Sequence, residues 1–220
     1  MNFLAGVQRL HSESLRSTAA PASVVTTDAR NKRLVNWYAD AWRDLQAERD
    51  WKWMRTTLDV ALTIGQQTYT GTELGAARFG RWRREDDTYS AYLYRAGYPN
   101  TRWEMAYWPL DEFRAQYIYL TWGDTTPVAW TIDENQQLLV GPAPNEAYML
   151  RMEYWKEPSE LTLDADTPDL PDRFALLPMW RALQEVAKSD AKPEILARAE
   201  ANYERLHGQL LLDQARLPRI

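Results

Sequence analysis

The spacing of apolar residues changes twice along these 220 residues. It starts at the helical period of about 3.6, drops to two after residue 57, and turns helical again after residue 167. Phe3, Val7 and Leu10 put one apolar face on a short amphipathic helix. A Ser/Thr/Ala/Pro loop around Pro21 follows, and Asp28 is a suitable N-cap for a helix from Ala29 to about Glu48. Leu34, Tyr38, Ala41, Trp42 and Leu45 form its stripe. At the far end Phe174, Leu177, Leu183 and Ala187 keep helical spacing, and Pro178 predicts a kink or a late start. Pro193 opens a last helix that runs to about Asp213, with Leu196, Ala199, Tyr203, Leu206 and Leu210 on one side.

Between these helices the pattern is that of strands. Leu58, Val60, Leu62 and Ile64 alternate with Asp59, Ala61 and Thr63, and residues 67–70 are expected to start a partner for that strand. Further strands are expected over 88–95, 128–133, 137–140 and 148–155, the last with Tyr148, Leu150, Met152 and Tyr154 on one face. Asp133-Glu134-Asn135 fits a hairpin turn, and Pro109 opens a short helix among the strands. The expected class is α+β. Helices from both ends, residues 1–57 and 168–220, form one helical bundle, because their apolar stripes need a common partner. Residues 58–167 form an inserted, antiparallel, β-rich region.

Composition narrows the chemistry. Zero cysteines exclude a disulfide framework, a thiol nucleophile and thiolate metal sites, and two histidines leave little for a His-based metal centre. No Gly-rich phosphate loop, nucleophile elbow or HExxH motif is present, so neither a cofactor nor a catalytic set is expected. The opening residues do not read as a secretory signal, and no window is apolar enough to span a membrane. With 26 basic and 31 acidic residues the chain carries −5, which argues against a surface that grips nucleic acid as a whole. Eleven Trp and twelve Tyr point instead to recognition or assembly.

Three constellations carry functional possibilities. Arg78, Arg81, Arg83 and Arg84 interleave with Phe79 and Trp82, a pattern that suits single-stranded nucleic acid, but Glu85, Asp86 and Asp87 follow and repel phosphate. Arg81, Trp82, Arg83 and Arg84 are therefore expected at a protein interface. Asp164, Asp166, Asp169 and Asp172 surround Pro168 and Pro171, and they fit turns and helix caps better than a calcium loop. Trp103, Tyr107, Trp108, Tyr117, Tyr119, Trp122 and Trp130 are expected in core and interface. Their alternative is a sugar-stacking surface, with Glu104 and Glu112 as an imagined glycosidase pair; that alternative describes a carbohydrate-binding or wall-degrading component.

Two stretches together resemble one family. The first is Arg33-Leu34-Val35-Asn36-Trp37-Tyr38-Ala39-Asp40-Ala41-Trp42-Arg43-Asp44-Leu45-Gln46 with Asp50-Trp51-Lys52-Trp53-Met54-Arg55. The second runs from Trp130-Thr131-Ile132 through Leu138-Leu139-Val140-Gly141-Pro142-Ala143-Pro144 and Tyr148 to Trp155, and on into Asp166-Thr167-Pro168-Asp169-Leu170-Pro171-Asp172-Arg173-Phe174. In this order they resemble the head-to-tail adaptor, or connector, proteins of tailed bacteriophages; residues 72–119 lie outside the resemblance. The resemblance implies a non-enzymatic virion part, assembled in the host cytoplasm, that forms a ring of twelve under the portal protein. A tail or nozzle protein would sit below it, and DNA would pass through the channel without specific binding. It also implies that the last residues reach the portal, which assigns Arg216, Leu217, Arg219 and Ile220 to that contact. Deleting 214–220 is then expected to spare folding and weaken portal binding.

Overall fold

The computed structural model describes residues 1–15, 18–83, 91–120 and 122–215. Among these the chain forms helices α1 (Phe3–Glu13), α2 (Ala29–Ala47), α3 (Leu110–Phe113), α4 (Leu177–Ser189) and α5 (Pro193–Gln214). The strands are β1 (Arg55–Ala61), β2 (Thr68–Tyr69), β3 (Phe79–Trp82), β4 (Ala91–Arg95), β5 (Trp103–Tyr107), β6 (Ala129–Ile132), β7 (Leu138–Gly141) and β8 (Tyr148–Lys156). The fold is thus mixed α and β, and the chain divides into two units, Met1–Met54 with Pro158–Ile220 and Arg55–Glu157.

In the first unit the helix ends are satisfied locally. The Asn2 side chain accepts the Ala5 amide at 2.9 Å, and the Phe3 and Leu4 amides donate to the carbonyls of Asp166 and Asp164. The Asp28 side chain accepts the Asn31 amide at 3.1 Å, as an N-cap should. Helix α4 begins at Leu177 with Pro178 in its first turn, so the proline marks a late start and not a kink. Helix α4 packs against α1, α2 and α5, and α1 touches α2. That last approach requires Gly6, since a Cβ there would lie 2.5 Å from the Tyr38 ring. The Tyr38 hydroxyl is deeply buried, which pushes its pKa far above the ordinary value.

Leu34, Tyr38, Trp42, Leu45, Leu206 and Leu210 are buried in this unit. Leu196 and Tyr203 are only half-buried, a correction to the expected stripe. Ile195 and Ala199 take the inner positions of α5, while the Tyr203 ring lies at the edge, stacked on His207 at 5.2 Å with the Arg181 guanidinium over it. Trp51 is fully buried, donates its indole N–H to the Leu45 carbonyl at 2.6 Å and stacks on Trp53. Lys52 holds the end of α5: its amide donates to Gln214 Oε1 at 3.0 Å and its ammonium to the Ala215 carbonyl at 2.6 Å.

The second unit is built on β8. Tyr148, Leu150, Met152 and Tyr154 are all buried, as strict alternation demands of a strand with one face inward. One edge of β8 pairs antiparallel with β1 along its length; the other is shared end to end by β4 and β3. The order β1-β8-β4-β5-β6-β7-β2 contains one parallel pair, β5 with β6, so the expectation of an antiparallel region holds for the remaining pairs. Strand β2 pairs with β7 and not with β1, a correction to the expected hairpin. Residues 62–67 connect the two ends of the sheet, with Gly65 in the left-handed region at φ +74°, and the sheet curls around one core drawn from all eight strands. The β6–β7 hairpin turns where predicted: Asp133 Oδ1 accepts the amides of Asn135 and Gln137.

On the outer face, Asp59 accepts hydrogen bonds from the Tyr94 hydroxyl and the Arg151 guanidinium. Burial alone would raise the Asp59 carboxyl, but those bonds and the Arg151 charge outweigh it and hold its pKa below the ordinary value. Such a group stabilises the fold above its unfolded pKa of about 3.9, and the contribution is lost as pH falls through the lower folded value. The urea midpoint should therefore decline below about pH 4. Asp59→Asn should make that decline shallower, by a small amount since the pair is partly exposed. An acid limb unchanged in Asp59→Asn would remove the assignment.

Candidate interaction surfaces

The arginine-rich stretch is a strand. Arg78 takes φ +50°, and Phe79 to Trp82 then pair with β8. Alternation sends Trp82 inward, where it is 1% exposed, lies 4.8 Å from the Phe79 ring and donates its indole N–H to the Gln136 carbonyl at 3.0 Å. Trp82 is therefore core and not interface. Arg81 points outward and is exposed, with its guanidinium over the Trp155 ring at 5.8 Å. Arg83 is half-buried and ion-paired with Glu153, and Arg84 lies outside the described residues. Trp82→Ala should cost about 3–5 kcal/mol, whereas Arg81→Ala, which gives up a cation–π contact at an exposed site, should cost about 1 kcal/mol or less. Thermal unfolding of the two variants checks this, and equal losses would contradict it.

Two aspartates of the Pro168 region, Asp164 and Asp166, act on the backbone. Asp164 accepts the Val24 amide at 2.6 Å, and Asp166 accepts those of Thr162 and Leu163, both at 2.7 Å. The Leu163 and Thr162 amides hold the Asp166 carboxyl below its ordinary pKa. Asp172 opens a single 3₁₀ turn that ends at Phe174. Glu104 on β5 and Glu112 on α3 are both exposed. Among the described residues no three His, Asp or Glu side chains are placed to hold a metal ion, and no helix is long and apolar enough to cross a membrane. Arg216, Leu217, Arg219 and Ile220 lie outside the described residues.

The seven scattered aromatics separate into classes. Trp130 and Tyr117 are buried, and Trp103, Tyr107 and Trp108 are half-buried. Tyr119 and Trp122 are exposed, and so are Ile118 and Leu120 beside them. This run follows α3 directly through one turn of π-helix, Arg114–Ile118. Phe113 and Tyr117 anchor the turn against Ala129 and Leu139, and both rings lie so close to Gly141 that a Cβ there would be 2.7 Å from Tyr117. Arg114 forms a bidentate pair with Glu134, 2.8 Å at each oxygen, and the Trp122 indole donates to the Gln116 carbonyl at 2.6 Å. Four apolar side chains thus stand in water on a braced support. Aromatic composition marks Tyr119 and Trp122 but not Ile118 and Leu120; three consecutive apolar residues just past a short helix are the signal for an exposed functional run.

These surfaces offer shape, apolar area and paired charge, which is the equipment of a binding and assembly protein. No curated protein matches the chain. The family model of the SU10 adaptor protein matches residues 7–219. That covers nearly the whole sequence, so the chain belongs to the SU10 adaptor protein family and is a structural, non-enzymatic component of a bacteriophage virion.

Proposed function

We propose that this protein is the head-to-tail adaptor of a tailed phage: twelve copies in a ring beneath the portal, through which the genome passes to the tail. The observation that carries the reading is the adaptor-family match across residues 7–219. The helical segments 1–57 and 168–220 act as a bundle that forms the ring platform and faces the portal, and 58–167 makes the subunit and tail-side contacts. Arg216, Leu217, Arg219 and Ile220 dock on the portal, and a tail or nozzle protein meets the opposite face. Copies are made and assembled in the host cytoplasm. Charge supports the conduit role: twelve copies at −5 each carry −60, and a ring of that net sign does not, on average, attract DNA.

Size-exclusion chromatography with light scattering, on the protein alone and mixed with portal protein, tests the proposal. The expected result is a closed complex of about twelve copies, with the portal or without it, seen as a ring by electron microscopy. A monomer that ignores the portal but is retained on polysaccharide would replace this reading with a sugar-binding one.

A further inference from the structure

We infer that the apolar run Ile118, Tyr119, Leu120 and Trp122 is a contact between neighbouring copies of this chain, an inference that rests on the ring reading above. The four side chains are 41, 74, 53 and 47% exposed. Together they present on the order of 500 Å² of largely apolar surface, at the upper end of what a monomer leaves uncovered. A standard interface buries about 800 Å² per partner, of which about 65% is apolar in contacts between identical subunits, so one side needs about 500 Å². The run supplies the apolar share of one such side.

The occupant follows from charge. Each copy carries −5, so identical copies repel at long range, and a contact between them gains most from a patch with no charge in it. The four residues are uncharged, and the one basic side chain of the supporting turn, Arg114, is already neutralised by Glu134. The support is also rigid, through the Phe113 and Tyr117 packing, the Arg114–Glu134 fork and the Trp122–Gln116 bond. A preorganised patch loses little side-chain freedom on contact. π-turns occur disproportionately at functional positions, and here the turn is what presents the run. In a cyclic ring the patch meets a different face of its neighbour.

The absence of cysteine makes the test direct. Leu120→Cys gives the full chain a single thiol, to which a benzophenone maleimide is attached; Val25→Cys, at a more exposed position of the other unit, serves as the control. Each is irradiated alone and with portal protein, linked peptides are identified by mass spectrometry, and oligomer mass is followed by light scattering. The expected result is a link from position 120 to a second copy, and a self-association midpoint raised about tenfold or more by Tyr119→Ser with Leu120→Ser while circular dichroism is unchanged. A multimer in which position 120 links to no other copy, or only to portal protein, overturns the inference and leaves the ring reading standing. A protein that is monomeric at every concentration, with portal present or absent, overturns both.

Discussion

Trp42→Ala is expected to leave the chain without enough stability to accumulate as soluble, assembly-competent protein. The side chain is 1% exposed on α2, and its indole N–H donates to the Ser159 carbonyl at 2.9 Å and approaches the Ser159 hydroxyl at 3.2 Å. Removing a buried indole costs about 3–5 kcal/mol through lost transfer energy and the cavity left behind. Whole domains have only about 5–15 kcal/mol to lose. Trp42→Phe separates the two contributions. It keeps most of the volume and gives up the hydrogen bond, worth about 0.5–1.5 kcal/mol. The Ser159 carbonyl keeps its second donor, Gln46 Nε2 at 3.0 Å, so no buried acceptor is orphaned. Soluble yield and urea midpoints should rank wild type, Trp42→Phe and Trp42→Ala in that order, with the wider gap at the second step. A normal midpoint for Trp42→Ala would remove Trp42 from the core.

The same residue shows why the helices were legible. Leu34, Tyr38, Trp42 and Leu45 sit three or four apart behind an Asp cap, and a buried stripe on a long helix leaves that pattern wherever it packs. Strand β8 was legible for the equivalent reason at period two. The partners of these strands were not. A strand's own alternation says which face is buried, not which edge pairs with which, so the sequence points to β1 as the partner of residues 67–70, whereas Thr68 and Tyr69 pair with β7. Strands β3 and β5 are not legible in the sequence. Phe79-Gly80-Arg81-Trp82 holds one fully buried side chain and a break in register, too little for a periodic signal. In β5 only Met105 is fully buried.

Surface roles were harder to see, for a physical reason. An arginine beside a tryptophan has the same composition whether the pair is exposed or alternates across a sheet. Burial of Trp82 between Phe79 and Tyr154 is a tertiary fact that Arg81 and Arg83 on either side conceal. On α5 the five-residue stripe puts Leu196 inside, but the buried residues of the helix are Ile195, Ala199, Leu206 and Leu210. Ile195 replaces Leu196 on the buried side and Tyr203 lies at the rim, where its hydroxyl is raised above the ordinary pKa by burial first and by Glu48 next.

Truncation after Ala215 is expected to cost at least tenfold in portal affinity while leaving the fold intact. The sequence alone placed the cut before Gln214, but Gln214 and Ala215 both hold Lys52, so that cut would also release the end of α5. Ending the chain at Ala215 keeps both bonds, and its stability should stay within about 0.5 kcal/mol of wild type. What is removed is Arg216-Leu217-Pro218-Arg219-Ile220, two apolar and two basic side chains around a proline that bars helical extension. If these five residues dock on the portal, tenfold in Kd corresponds to about 1.4 kcal/mol, well within what two apolar anchors supply. Leu217→Ser with Ile220→Ser should lose affinity at every ionic strength. Arg216→Ala with Arg219→Ala should lose it mainly at low salt, where exposed charges are least screened. Portal binding by surface plasmon resonance at two salt concentrations, with urea midpoints in parallel, separates these effects. Equal affinity for the truncated and complete chains would mean that the portal is held by other residues of the adaptor.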